Sequence, residues 1–210
     1  MKTIYLVRHA QSRYDAAIPD ELRPLTATGR EQASQLASVL LRFEIQEIHS
    51  SPYRRCLDTI GPFAKAAALP LNEVADLRER TFTRSLIEDW AQVWQRVWTD
   101  FDFAFPDGES SRQAQARMYA ATLLVAETSR AATLAISSHG NAIGLLLQHV
   151  DARFTFEHAC AIRNPEVMRL LFDGKSLHWD ADFSLAELGS FATRVVTNEE
   201  RLEAPRSPVA

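Results

Sequence analysis

Glycine is scarce in this 210-residue chain, and none of its seven glycines falls in a GxGxxG or GxxxxGK[ST] pattern. A dinucleotide fingerprint and a Walker phosphate loop are therefore excluded. HExxH and GxSxG are missing too, which removes zincin chemistry and the nucleophile elbow of serine hydrolases. Cysteine is scarcer still. Cys56 and Cys160 are the only two, without a CxxC pair or a Cys/His cluster at zinc spacing, so no disulfide framework and no metal site are expected. Both should be reduced, partly buried thiols of a cytoplasmic protein. There is no basic excess. The 23 Lys and Arg residues against 27 Asp and Glu leave a net charge of −4, so the chain lacks the electrostatic footprint of a nucleic-acid binder. Nothing approaches the ~18 continuous apolar residues of a membrane span, and the opening apolar run is too short for a signal-peptide core. No membrane association is expected.

What is present is ordinary globular composition, 46% apolar and 24% charged, in a length that suits one domain with an insertion. Ile4, Tyr5, Leu6 and Val7 form the wholly apolar run of a strand covered on both faces. A polar loop with Pro19 and Pro24 follows, then a helix from near Thr26 with Ala33, Leu36, Ala37, Leu40 and Leu41 on one face. Residues 45–50 read as a second strand. The helical segment after it, with Leu57, Ile60 and Phe63, should break or kink at Gly61-Pro62. A third short strand is expected at residues 71–74.

Trp90, Trp94 and Trp98 recur at helical spacing beside Val93, Val97 and Phe101, so residues 81–106 read as a helical insertion whose tryptophans serve packing. Ser110 or Ser111 caps the next helix, running to about residue 129. Residues 132–137 are expected as a strand, 142–150 as an apolar helix, and 167–179 as a hairpin around Asp173-Gly174. A single catalytic domain would cover residues 1–197, with a loose tail over 198–210. Strands alternating with helices predict an α/β fold with a mainly parallel sheet and antiparallel edge strands. Ligands of such sheets lie outside the carboxyl ends of the strands, where Arg8-His9 and His139-Gly140 both fall.

Several segments carry chemistry-bearing residues: Arg8-His9-Ala10, Leu25-Thr26 through Gly29 to Gln32-Ala33, Ser50-Ser51-Pro52 through Arg55, Leu77-Arg78-Glu79, Pro106 to Ser110, and His139-Gly140-Asn141. In this order they resemble the histidine phosphatase superfamily, also called phosphoglycerate-mutase-like, on its phosphatase side. The likeness runs from residue 3 to about 145 and more weakly to 180. It implies a three-layer sandwich with a small helical cap over the active site, and a reaction without metal or cofactor. It also implies His9 as the residue that takes the phosphoryl group, Arg8, Arg55 and His139 as its clamp, and Glu79 as proton shuttle. Gln11-Ser12 departs from the Glu-Thr of many members, and the Arg80-Thr81-Phe82-Thr83-Arg84 run lacks the glycine that often follows the acid.

The same residues make physical sense without the family. Arg8 and Arg55 each present a planar fork matched to two phosphate oxygens. Gly140 lets backbone N–H groups approach an anion, His139 can add a charge-assisted hydrogen bond, and Ser12 either gives a hydroxyl to phosphate or caps the loop. His9, with one ring nitrogen free, can attack phosphorus. Nearby arginines oppose its protonation and bound phosphate favours it. Glu79 would protonate the leaving alkoxide and then deprotonate water, which requires a raised pKa.

Arg54 competes with Arg55 for the second clamp position. Glu73, Asp76, Glu88 and Glu109 compete with Glu79. His49, His149, His158 and His178 read as structural or surface residues, and Cys56 as an inert helix residue. Arg78, Arg80 and Arg84 are either contacts for an additional anionic group or solvated charges. The expected activity is hydrolysis of a small phosphomonoester, since the chain lacks the longer insertion of the glycolytic mutases. A phosphoglycerate-type mutase and a non-catalytic phospho-ligand-binding or scaffold protein are the alternatives.

Overall fold

A computed structural model of the chain describes residues 1–15, 17–83, 85 and 87–185. Six strands form one sheet in the order β3-β2-β4-β1-β5-β6: β1 (Lys2–Arg8), β2 (Glu47–Ser50), β3 (Leu71–Glu73), β4 (Thr133–Ser138), β5 (Glu166–Phe172) and β6 (Leu177–Asp180). Strands β1, β2, β3 and β4 run parallel, while β5 and β6 are antiparallel additions at one edge. The chain is thus an α/β protein with an open mixed sheet flanked by helices.

The alternation along β1 explains why its apolar run has no polar side. Ile4 and Leu6 face one core with Leu134 and Ile136 of β4. Tyr5 and Val7 face the other with Ile48 and Ala135. Side chains of a strand alternate between faces, so both faces must be apolar where both are covered. The first core is closed by α4 (Ser111–Thr128), α5 (Gly140–Val150) and α6 (Phe156–Ala161). The second is closed by α1 (Ala27–Leu40) and α2 (Arg54–Ala67).

Two expected features differ in the structure. Helix α2 continues through Gly61-Pro62. Pro62 lies on the exposed face, four residues after exposed Asp58, so the carbonyl it leaves without a partner is open to water. Among the described residues of the insertion, helix is confined to α3 (Trp90–Thr99), which Asp89 caps by accepting from the Gln92 N–H at 2.9 Å. Its buried face carries Val97 and Trp98. Trp98 lies against Gly144, where an added Cβ would come within 3.3 Å of the indole, and the Trp94 indole N–H reaches Cys160 Sγ at 3.4 Å. Helix α6, six residues long, had no counterpart in the sequence reading. No helix among the described residues is long and apolar enough to cross a membrane.

Candidate active site

Strand register brings the site together. Arg8 of β1 lies beside Ser138 of β4, and Ser137 lies beside Ser50 of β2, so the residues following all three strands emerge on one rim. The His9 N–H donates to Ser138 O at 3.1 Å and the Ser51 N–H to Ser137 O at 2.9 Å. His9 and His139 consequently stand with ring centroids 5.3 Å apart, nearly edge to face. Arg55, in the first turn of α2, reaches between them.

The hydrogen bonds fix both tautomers. Ala10 O can only accept, so His9 Nδ1, at 2.7 Å from it, carries the proton. Arg55 Nε–H can only donate, so the His9 Nε2 and His139 Nδ1 lone pairs, each 3.2 Å away, accept from it. His139 Nε2–H then donates to Ser51 Oγ at 2.8 Å. Burial, and after it the guanidinium charges of Arg55 and Arg8, hold His139 well below the usual imidazole range. The charge-assisted hydrogen bond expected of His139 therefore requires an arriving dianion to raise that pKa; without one the ring is neutral.

Arg8 is 3% exposed and donates from Nη1 to Ile162 O. Asn164, in the same loop, donates to His9 O at 2.7 Å, so this loop braces the β1 end from beneath. Gly140 is a glycine because of Arg8: a Cβ there would lie 2.7 Å from the Arg8 Cζ. We expect Gly140→Ala to displace the guanidinium rather than the backbone, lowering phosphate affinity about tenfold or more with little loss of stability. Titration with inorganic phosphate, alongside a denaturation curve, measures both; affinity equal to wild type would contradict it. Two of the α5 N-terminal N–H groups are taken by Glu79, whose Oε1 and Oε2 accept from Ala142 and Asn141 at 3.0 and 3.3 Å.

Glu79 also accepts from the Arg80 N–H at 2.9 Å. Burial pushes its carboxyl above the ordinary range, against the opposing pull of these N–H groups and Arg55. Its rival Glu109 is a buttress. Burial pushes Glu109 up, but bonds from Arg117 at 2.8 Å on both oxygens, together with the Thr81 N–H and Arg78, outweigh it and leave the carboxyl below its ordinary value. Arg117 donates in turn to the carbonyls of Asp76, Arg78 and Glu79, which fixes the segment that presents Glu79.

The expectation for Arg80, a ligand contact or a solvated charge, is corrected. It is 3% exposed, donates to Glu109 O, Ser111 Oγ and Phe103 O, and is lowered by burial to about 10. Arg80 is a strut tying the insertion to α4. Arg78 is paired with Asp76 and Glu109, and Arg84 lies outside the described residues. Arg54, the competitor of Arg55, is exposed and pairs with Asp58 at 3.4 Å. Ser12 forms a β-bridge with Leu25 across the loop.

The remaining motif residues turn out to be scaffold. Gly29 lets α1 approach the loop after β1, since a Cβ would sit 2.0 Å from Gln11 O. Thr26 caps α1 and also donates to Gln11 Oε1 at 2.7 Å, while Gln32 accepts from the Gln11 N–H at 2.9 Å. Cys56, fully buried, lies 3.4 Å from His139 Nε2, and burial pushes its thiol up to about 12. A thiol held neutral is not a nucleophile.

Three residues near the histidines were missed by sequence reasoning: Ser51 as the His139 partner, Tyr53, and Asp20. The Tyr53 ring lies 5.0 Å from that of His139 and 4.9 Å from the Arg55 guanidinium. Asp20 meets the far edge of Arg55. Ser51 had a signal, because it stands in the motif that carries Arg55; Asp20 had none.

The family model of the histidine phosphatase superfamily (branch 1) matches residues 4–181. A protein of Salmonella arizonae described as a probable phosphoglycerate mutase GpmB is 29% identical over 162 residues, covering 71% of this chain and 75% of that protein. Among solved structures, a mycobacterial glucosyl-3-phosphoglycerate phosphatase in complex with inorganic phosphate is 20% identical with a TM-score of 0.70, covering 87% of this chain and 96% of that one. A mutant phosphoserine phosphatase of Entamoeba histolytica in complex with phosphoserine is 18% identical with a TM-score of 0.70, covering 86% and 96%.

Proposed function

This chain belongs to branch 1 of the histidine phosphatase superfamily, and from there we propose that it is a phosphomonoesterase working through a phosphohistidine on His9. What carries this reading is the pair of neutral imidazoles around Arg55 Nε, with the His9 Nε2 lone pair turned toward that cation. A phosphate dianion placed there meets donors from Arg8 and Arg55 and a histidine whose protonation it favours.

The geometry supports the following reaction. His9 Nε2 forms a bond to phosphorus as the ester P–O bond breaks, and protonated Glu79 gives its proton to the departing alkoxide. The Glu79 carboxylate then takes a proton from water as the water oxygen attacks phosphorus and the N–P bond breaks. Inorganic phosphate leaves, and His9 and Glu79 return to their starting states. Burial of Glu79 assists the first step by keeping the acid protonated at higher pH than an exposed carboxyl would be.

The alternative is a mutase, which returns the phosphoryl group to a second oxygen of its substrate; the likeness to a probable phosphoglycerate mutase favours it. Hydrolysis is favoured by the neutralised arginines of the Glu79 segment, because Arg78 is bound by two carboxylates and Arg80 is buried in scaffold contacts. Among the described residues of that segment, neither is offered to a second anionic group. Incubation with an aryl phosphate and with a phosphoglycerate, in chelator, separates the possibilities. Accumulation of inorganic phosphate is expected. Recovery of the phosphoryl group at the other phosphoglycerate position would make the protein a mutase, and no turnover of either would make it a binding module.

A further inference from the structure

The guanidinium of Arg55 is used on two edges. Its Nε–H points to His9 and His139 at 3.2 Å each. Its far end is bound by Asp20: Nη1 donates to the Asp20 carbonyl at 2.6 Å and to Oδ1 at 3.3 Å, and Nη2 donates to Oδ2 at 3.1 Å. Asp20 opens a three-ten turn, Asp20–Leu22, in the loop between β1 and α1. Arg23 holds the same carboxylate from outside, at 2.7 Å from Oδ1.

A guanidinium has five N–H donors in a rigid fork. Asp20 takes the end formed by Nη1 and Nη2, which leaves Nε–H and the inward Nη2–H, the adjacent parallel pair, for two oxygens of one anion. Carboxylate and phosphate therefore do not compete for the same edge. We propose that Asp20 is a positioning residue, which holds Arg55 so that its side edge meets a phosphoryl group between the histidines. The proposal rests on the phosphate-binding reading of the site, though not on the outcome of the reaction.

Removing the carboxylate has two opposing consequences. The local field becomes more positive, which favours an anion. The Arg55 fork keeps the Nη1 bond to the residue 20 carbonyl but loses both carboxylate contacts, so its plane is no longer fixed at two points and phosphate must complete the ordering on binding. The Asp20 side chain is 42% exposed and already paired with Arg23, so water and that arginine blunt its field at the histidines. The Arg55 side chain is 6% exposed, and its orientation is the larger effect.

Titration of wild type, Asp20→Ala and Asp20→Asn with inorganic phosphate and with vanadate tests this. For Asp20→Ala we expect affinity for both to fall about tenfold, with kcat/KM for an aryl phosphate falling in step. Asp20→Asn keeps one acceptor and should fall between. The melting temperature without phosphate should change little, since the turn is at the surface. Affinity in Asp20→Ala equal to wild type would reduce Asp20 to a surface ion pair. Tighter binding would make it a competitor for Arg55. Either result overturns the proposal while leaving the phosphatase reading intact. Wild type that binds neither anion would overturn the functional reading, and this one with it.

Discussion

Replacing His9 by alanine is expected to abolish turnover, on the order of 10⁴-fold or more, because no other group among the described residues is as well placed to accept the phosphoryl group. Cys56 cannot substitute: its thiol is pushed up to about 12 and it lies behind His139. His139 is the lesser candidate, because its ring is fully buried, with Nε2 held by Ser51 and with Cys56 Sγ 3.4 Å from that nitrogen. The fold should survive, because the β1–β4 pairing that carries residue 9 is made by backbone. In wild type, rapid quenching should trap phosphate that is labile in acid and stable in base; in His9→Ala it should not. Turnover near the wild-type rate in the variant would remove His9 as nucleophile.

Glu79→Gln separates chemistry from binding. Loss of the general acid and base is expected to lower kcat by about 10²–10⁴-fold, while affinity for inorganic phosphate stays within a few fold, because Arg8, Arg55 and His139 are untouched. The pH dependence has a definite sign. Burial raises the Glu79 pKa in the folded state above its value in the unfolded chain. Its contribution to stability is therefore full below the unfolded pKa and is lost as pH rises through the folded one. Glutamine has no such loss. The variant should thus gain stability relative to wild type on going from about pH 4 to about pH 8, an activity-for-stability exchange common at catalytic positions. The alkaline limb that Glu79 gives the wild-type kcat/KM profile should disappear as well. Unaltered rates would assign the proton transfers to another group, and a parallel pH dependence of stability in both proteins would contradict the buried-acid assignment.

The sheet was legible because its strands obey local rules. The run at Ile4 to Val7 is apolar on both faces because both faces are covered, and the residues after β1 and β4 had to share a rim once those strands were parallel. His9, His139, Arg55 and Glu79 were legible through motifs that carry their own scaffold. Gly29 and Thr26 fix the loop after β1, and Glu109 fixes the Glu79 segment through Arg117. What escaped has no periodicity. Asp20 meets Arg55 from 35 residues away, and a carboxylate in a polar loop looks like a solvated charge until the chain is folded. Arg80 looked exposed for the same reason, although three acceptors far along the chain bury it. Pro62 misled because the carbonyl it strands, that of Asp58, lies on an exposed face, where water can take up part of the cost. The expected tail over residues 198–210 lies outside the described residues.

A crystal soaked with vanadate tests the central claim directly, since a trigonal-bipyramidal vanadate reproduces in-line displacement at phosphorus. The vanadium should be bonded to His9 Nε2, with oxygens on Arg8, on the Nε edge of Arg55 and on His139, and with Asp20 still on the far edge of Arg55. Vanadate bonded to another side chain, or held with His9 Nε2 out of bonding range, would contradict a phosphohistidine at this position.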